Sequence, residues 1–188
     1  ASPNGLNINE NCGSTHLENL IARVKSEKAD LGIAHDGDAD RMLAVDHEGN
    51  VIDGDYVLGI LADHTELPTK AVVGTVMTNL GLIRALENRG VGFIATPVGD
   101  RYVLEKMLAE GHSLGGEQSG HIVMTDHATT GDGLMAGLQF MAEMIRSGKP
   151  ASELLNSFEA VPQLLKNVRY GSGQTPLDDP KVIAAIAQ

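Results

Sequence analysis

Short apolar runs alternate with amphipathic stretches along most of the chain. The runs at 31–34, 42–45 and 71–76 have the length and the aliphatic or β-branched content of buried strands. The runs at 91–95 and 122–124 predict two further strands. Where apolar residues recur every three or four positions, the spacing predicts helices. These predicted helices cover 56–62, 80–88, 101–110, 134–145 and 151–159.

The order of these elements predicts the fold class. From residue 53 onward strands alternate with helices, which indicates βαβ crossovers and a mostly parallel sheet. The residues before 53 instead give helix, strand, acidic loop and strand, like the end of an α/β unit whose small sheet has an open edge. We therefore predict an α/β protein with mixed, mostly parallel sheets flanked by helices. Its units are expected at 1–52, 53–160 and 161–188.

Local patterns add detail at two helices. Thr15 and Glu18 have the spacing of a capping box, which predicts the start of the first helix. Segment 129–133 is most simply the N-cap of the long helix. The Met-rich face of that helix is expected to be core rather than part of a cofactor site. Its amphipathic pattern is marked by Leu134, Leu138, Met141, Ala142 and Ile145.

Composition and charge argue against several partners. The chain has 188 residues, of which 42% are hydrophobic and 21% are charged, as in an ordinary soluble domain. Its formal net charge of -11 argues against nucleic acid and anionic membrane surfaces. No apolar run approaches the roughly 20 residues that span a bilayer, and no basic, apolar leader is visible. The single cysteine, Cys12, allows no internal disulfide and fits a reducing, cytoplasmic compartment.

The strongest chemical signal is the stretch Asp-Gly-Asp-Ala-Asp-Arg at 36–41, between two predicted strands. Carboxylates this close repel one another unless a cation lies among them, and their oxygens suit a hard ion such as Mg²⁺. Arg41 could hold a phosphate beside that ion. An EF-hand is excluded because its sixth and twelfth positions, here Arg41 and His47, require Gly and Glu. A solvated turn and a phosphatase with Asp36 as its nucleophile both remain open.

A second signal is the glycine-rich stretch 115–121. Its glycines allow a ligand to approach the backbone closely. Glu117 and Ser119 alternate, so in an extended loop both point to one side, where a carboxylate and a hydroxyl suit two adjacent sugar hydroxyls. His121 could exchange protons near neutral pH. The alternative is a polar turn before a strand.

A third stretch, 96–101, joins the end of a predicted strand to the start of a predicted helix. Open α/β sheets bind ligands at this position, and a helix N-terminus favours anions. Arg101 could therefore reach a phosphate or a hydroxyl. A surface ion pair between Arg101 and either Asp100 or Glu105 explains the same residues equally well.

Together the motifs D-G-D-A-D-R, V-G-D-R-Y-V and G-G-E-Q-S-G-H resemble the α-D-phosphohexomutase superfamily in identity, order and spacing. Segments 11–16, 78–82 and 129–133, with the G-E-Q-S-G-H form of the last motif, resemble in particular the members that act on glucosamine phosphates. The resemblance extends to about Tyr170. It implies a four-domain enzyme. A phosphoserine of the first domain donates its phosphoryl group to the sugar and takes another back, through a bisphosphorylated sugar.

The resemblance also implies roles for individual residues. Arg41 would support the phosphoryl group, and His121 would be an acid/base helper. Together with the phosphoserine, the ligands of Mg²⁺ would be Asp36, Asp38 and Asp40. The substrate would be bound by Glu117, Ser119, Gly99 and Arg101. The implied reaction interconverts glucosamine 6-phosphate and glucosamine 1-phosphate, which feeds UDP-N-acetylglucosamine and bacterial cell-wall synthesis.

Two loops of the superfamily do not occur among these 188 residues. They are the serine loop, typically T-A-S-H-N-P, and the phosphate-gripping loop R-P-S-G-T-E-P. The three predicted units would then be the end of a second domain, a third domain and the start of a fourth, and we expect the chain alone to be inactive. His35 and Ala39 stand where many relatives carry Phe and Gly, which removes no ligand.

Alternatives remain inside and outside the superfamily. A phosphomannomutase or phosphoglucomutase is the nearest, and Gln118 favours the glucosamine-phosphate members over it. A phosphatase using Asp36 and a non-catalytic sugar-phosphate-binding module belong to other classes. The expected partner is a small hexosamine phosphate, with no nucleic acid and no membrane. Exposed sheet edges could also support a homodimer.

Overall fold

The computed structural model describes residues 2–64 and 66–187, and its first sheet has three antiparallel strands. They are β1 (Leu31–His35), β2 (Met42–Asp46) and β3 (Val51–Ile52). The acidic motif lies in the turn that joins β1 to β2. Helix α1 (Glu18–Glu27) packs against β1 and β2. Within the described residues β1 pairs only with β2, so its outer edge is open, as the sequence indicates.

The second sheet has four strands in the order β5-β4-β6-β7. β4 (Ala71–Thr75) pairs in parallel with both β5 (Gly92–Thr96) and β6 (Leu114–Gly116), whereas β7 (Ile122–Met124) runs antiparallel to β6. The predicted mostly parallel sheet is therefore confirmed. Because β4 and β5 are parallel, the segments that follow their carboxyl ends emerge side by side at one edge of the sheet.

Helices flank the second sheet and continue after it. Their bounds are α2 (Gly54–His64), α3 (Leu80–Asn88), α4 (Asp100–Glu110), α5 (Gly133–Ser147), α6 (Ala151–Leu154) and α7 (Pro180–Ile186). Among the described residues, no helix is both long and apolar enough to cross a bilayer.

The helix predicted at 151–159 is shorter than expected. It ends at Leu154, and a 3₁₀ turn over Leu155–Ser157 follows. The helical path stops because Phe158 is extended and stacks on Tyr56, with 4.5 Å between the ring centroids. The segment after it runs along α3, where the Asn79 side chain binds its backbone.

One hydrophobic core joins the two sheets. Met42 and Ile52 of the first sheet belong to the same buried cluster as Leu114 of the second sheet and Phe140 of α5. Helix α2 packs against α5, and α5 packs in turn against β1 and β2. Because protein interiors are close-packed, this shared core holds the loops of both sheets in fixed relative positions.

Helix α5 packs through a face that its apolar spacing does not single out. Leu134, Leu138 and Ile145 are 61%, 49% and 83% exposed, although their spacing marks the amphipathic pattern. The helix approaches its neighbours at Gly133 and Gly137 instead, where an added Cβ atom would overlap or crowd other atoms. Close approach at these two glycines therefore decides which side of the helix is buried.

The two predicted caps have different outcomes. The capping box at α1 is wrong, because the helix begins at Glu18 after Leu17 and no side chain caps its N-terminus. Thr15 ends a separate 3₁₀ turn and lies too far back along the chain to cap α1. The N-cap of the long helix is confirmed, since Asp132 Oδ1 accepts a hydrogen bond from Met135 N at 2.9 Å.

Candidate active site

The acidic motif forms a tight turn in which three carboxylates converge. One ligand atom from each of Asp36, Asp38 and Asp40 lies within 4.8 Å of the others. Asp36 Oδ1 accepts a hydrogen bond from the backbone N of Arg41 at 3.2 Å. Ala39, in the middle of the turn, has a left-handed backbone with a φ of 59°. This reversal of the chain lets the three carboxylates share one side of the turn.

Neighbouring elements hold the turn in place. His35 Nδ1 lies 3.0 Å from the Arg41 carbonyl oxygen. Gly133 N, at the start of α5, donates to the Ala39 carbonyl oxygen at 3.0 Å. Arg41 and His121 form an isolated antiparallel β-bridge. The turn is thus anchored both to α5 and to the end of the glycine-rich stretch.

The negative charge of the turn is only partly neutralised. Arg41 Nε lies 3.8 Å from Asp36 Oδ2 and 4.0 Å from Asp40 Oδ1. Burial, and then the neighbouring Asp36 carboxylate, raise the pKa of Asp40 above its ordinary value. Asp40 Oδ1 is buried and finds no hydrogen-bond partner among residues 2–64 and 66–187. Three converging carboxylates with an unpartnered oxygen fit a hard divalent cation, whose remaining positions water or substrate would fill.

The glycine-rich stretch forms a turn, which is the alternative that the sequence raises to an extended loop. Gly120 N donates to the Glu117 carbonyl oxygen at 2.9 Å and closes the turn. Gly120 has a φ of 94°, and an added Cβ atom there would overlap the Met42 carbonyl oxygen. Met42 N in turn donates to the Gly120 carbonyl oxygen at 3.0 Å. Since a side chain at residue 120 would prevent this approach, glycine is what joins the loop to β2.

Glu117 and Ser119 nevertheless line the same cleft. Glu117 is buried, and its Oε1 accepts a hydrogen bond from Gly99 N at 2.9 Å. The cleft has a volume of about 260 Å³ and is lined by Arg41, Thr75, Met77, Val98, Glu117, Gln118 and Ser119. It lies where β4 and β5 end, which is the usual ligand position in an open α/β sheet.

His121 is buried near two carboxylates. Its Nε2 lies 3.5 Å from Asp40 Oδ2 and 4.0 Å from Asp100 Oδ2. In the described part of the chain, neither ring nitrogen makes a hydrogen bond of good geometry. The sequence indicates Asp100 only as a partner for Arg101, because nothing local links it to the ring of His121.

Arg101 pairs with Glu105 on the surface of α4, which is the alternative that the sequence raises. Its side chain is 80% exposed, and its Nε lies 2.7 Å from Glu105 Oε1. The cleft is lined by other residues. A role for Arg101 in substrate binding therefore stays a prediction, whereas Gly99 already contacts a cleft residue through its backbone.

Sequence reasoning misses the residue behind the glycine-rich turn. Gln118 Nε2 donates to Asp53 Oδ2 at 3.2 Å, and Gly54 N donates to the Gln118 carbonyl oxygen at 3.0 Å. From the sequence, Asp53 is only a polar residue ahead of a helix. No local pattern connects it to a loop that lies 65 positions later.

Both halves of the chain match models of the same protein family. Residues 53–161 match the family model for phosphoglucomutase/phosphomannomutase, alpha/beta/alpha domain III, and residues 2–49 match the model for domain II. A phosphoglucosamine mutase of Roseobacter denitrificans is 58% identical over 190 residues, which are 99% of this chain and 42% of that protein. One of Ruegeria pomeroyi is 57% identical over 191 residues, covering 100% of this chain and 43% of that protein. The chain thus spans less than half the length of these relatives.

A solved structure has the same architecture. A phosphoglucomutase/phosphomannomutase family protein from Burkholderia thailandensis matches with a TM-score of 0.70 and 27% sequence identity. The match covers 79% of this chain and 34% of that one.

Proposed function

Because the chain belongs to the phosphoglucomutase/phosphomannomutase family, we propose that it is part of a phosphoglucosamine mutase. The enzyme would interconvert glucosamine 6-phosphate and glucosamine 1-phosphate through a phosphoserine and a bisphosphorylated sugar. The observation that carries the proposal is the backbone bridge between Arg41 and His121, which joins the acidic turn to the glycine-rich loop. The names of relatives at 58% and 57% identity support a hexosamine phosphate as the sugar.

The acidic turn would hold the metal of this enzyme. Asp36, Asp38 and Asp40 offer hard oxygen ligands, so Mg²⁺ is the proposed ion. When bound, it supplies electrostatic stabilisation of a transferring phosphoryl group. The guanidinium of Arg41 lies beside the same carboxylates and lines the cleft, where it can donate charge-assisted hydrogen bonds to phosphoryl oxygens.

The glycine-rich loop would hold the sugar. Glu117 is kept in place by Gly99 N, so its carboxylate can accept hydrogen bonds from hydroxyls of the ring. Ser119 lines the same cleft and can donate or accept. Fixed polar groups of this kind position the hexose hydroxyl for transfer. His121, whose Nε2 lies near the acidic turn, is the proposed helper for moving the proton of that hydroxyl.

We further propose that these 188 residues do not catalyse the reaction alone. They contain neither the serine loop nor the phosphate-gripping loop of the superfamily. The phosphoryl donor would come from another part of a longer protein, consistent with relatives of which this chain covers 42% and 43%. The reaction is proposed to take place in the bacterial cytoplasm and to feed UDP-N-acetylglucosamine for peptidoglycan.

A substrate panel on the full-length protein tests the proposal. The protein, supplied with a hexose 1,6-bisphosphate activator, is assayed with the 6-phosphates of glucosamine, glucose and mannose. We expect the highest kcat/KM with glucosamine 6-phosphate, loss of turnover with EDTA, and recovery with Mg²⁺. A higher kcat/KM with glucose or mannose would contradict the sugar assignment. Phosphate release by the 188-residue chain alone would favour a phosphatase with Asp36 as its nucleophile.

A further inference from the structure

The turn that carries Glu117 and Ser119 rests on the N-terminus of α2. Gly54, the first residue of that helix, donates its N–H to the Gln118 carbonyl oxygen at 3.0 Å. An added Cβ atom at Gly54 would overlap the carbonyl oxygen of Glu117. The loop is therefore in direct contact with the helix, in addition to its hydrogen bond to β2. This contact makes the start of α2 a support for the cleft.

The two carboxylate oxygens of Asp53 serve different elements. Oδ1 accepts hydrogen bonds from Asp55 N at 3.1 Å and Tyr56 N at 3.2 Å, which caps the first turn of α2. Oδ2 accepts the hydrogen bond from Gln118 Nε2 at 3.2 Å. A carboxylate only accepts, so Asp53 also fixes which way the Gln118 amide faces. One side chain thus ties the loop to α2, a helix whose apolar side chains Val57, Leu58 and Leu61 are buried in the core.

We propose that Asp53 is a positioning residue for sugar recognition, acting through its hydrogen bond to Gln118. The bond holds the 117–120 turn on α2, so that Glu117 reaches Gly99 N and Ser119 lines the cleft. This inference rests on the proposed function, since it concerns the same sugar-binding loop. The opposing explanation is that Gln118, which also lines the cleft, touches the sugar directly.

Reversing the polarity of the pair separates these explanations. In the full-length protein, Gln118→Glu places two carboxylates against each other. Asp53→Asn combined with Gln118→Glu restores a donor and an acceptor in exchanged positions, and the Asn side chain still caps α2. The matched control is Gln174→Glu, which adds the same charge at an exposed residue outside the site.

We expect Gln118→Glu to raise KM for glucosamine 6-phosphate by about tenfold, the loss typical of one hydrogen bond to a charged group. The double variant should return KM to within about threefold of the unsubstituted protein, and Gln174→Glu should leave it unchanged. Amide hydrogen exchange at Gly54, Gly99 and Gly120, measured without substrate, should follow the same pattern. Exchange should be faster in Gln118→Glu than in the unsubstituted protein, and the double variant should restore the original rate.

A KM that Asp53→Asn fails to rescue would overturn the proposal, because a direct contact between Gln118 and the sugar gains nothing from a change at residue 53. Exchange at the three glycine amides that is the same in all variants would also overturn it. If the unsubstituted protein does not convert glucosamine 6-phosphate, the proposed function fails, and the exchange experiment alone then decides whether Asp53 positions the loop.

Discussion

The buried carboxyl of Asp55 predicts that the folded chain becomes less stable as pH rises. Asp55 is 1% exposed at the start of α2, and its Oδ2 accepts a hydrogen bond from Asn79 N at 2.8 Å. Its Oδ1 has no hydrogen-bond partner within the described residues. Burial raises the pKa of Asp55 from 3.8 to about 7, with a smaller contribution from the nearby Asp53 carboxylate and against the Asn79 amide. Between pH 3.8 and about pH 7, the folded chain therefore holds a proton on Asp55 that the unfolded chain has lost.

The sign and size of the effect follow from linkage. Below the unfolded pKa of 3.8, both states carry the proton and the stabilisation is complete. As pH rises through the folded pKa of about 7, the free energy of unfolding falls, because the ionised carboxylate is poorly solvated in the folded state. The total loss is about 4 kcal/mol, of which about 2.5 kcal/mol falls between pH 5 and pH 8.

The assay compares Asp55→Asn with the unsubstituted chain in urea denaturation from pH 5 to pH 8. The amide does not titrate, so the difference in free energy of unfolding should change by about 2.5 kcal/mol in favour of Asp55→Asn over this range. Any fixed cost of the amide itself cancels from this change. Asp126→Asn, at an exposed turn, reports the effect of removing one surface charge. A difference between Asp55→Asn and the unsubstituted chain that stays constant with pH would show that Asp55 is ionised in the folded state throughout, and would refute the reasoning.

Three further changes test other parts of the structure. Ala39→Gly should stabilise the chain by about 1 kcal/mol in urea denaturation, because the left-handed φ of 59° disfavours a Cβ atom; destabilisation would contradict this. Asn79→Ala should lower the free energy of unfolding by about 2–3 kcal/mol, because Asn79 caps α3 and binds the backbone N–H and carbonyl of Val161. The same substitution should speed proteolysis of the segment that follows residue 163. Asn88→Ala on the same helix is its control, and equal effects would contradict the role of Asn79. Asp38→Asn, at an exposed residue that is proposed as a ligand, should weaken Mg²⁺ binding to the full-length protein at least about tenfold by calorimetry, and unchanged affinity would exclude Asp38 as a ligand.

The sequence predicts the fold well wherever the controlling forces are local. The predicted strand at 122–124 and helix at 80–88 have the observed bounds, because turn-forming residues interrupt the apolar pattern at their ends. The capping box fails because its spacing says nothing about the separate turn that ends at Thr15. The buried face of α5 is not predictable from apolar spacing either. It is chosen by Gly133 and Gly137, whose missing side chains let the helix approach the first sheet.

In the candidate site, too, the features set by neighbouring residues are predictable and those set by distant partners are not. The acidic turn is predictable because its carboxylates are two positions apart, so one turn brings them together whatever the rest of the chain does. The orientation of the glycine-rich loop depends instead on partners that the fold supplies, namely Gly99 N, Met42 and Asp53. Motif resemblance finds Glu117 and Ser119 because they stand inside a recognisable stretch. It does not find Asp53, because a residue that contacts a loop from the start of a distant helix belongs to no local motif. The close packing at Gly54 and the hydrogen bonds of Asp53 and Gly54 to Gln118 become visible only in the folded chain.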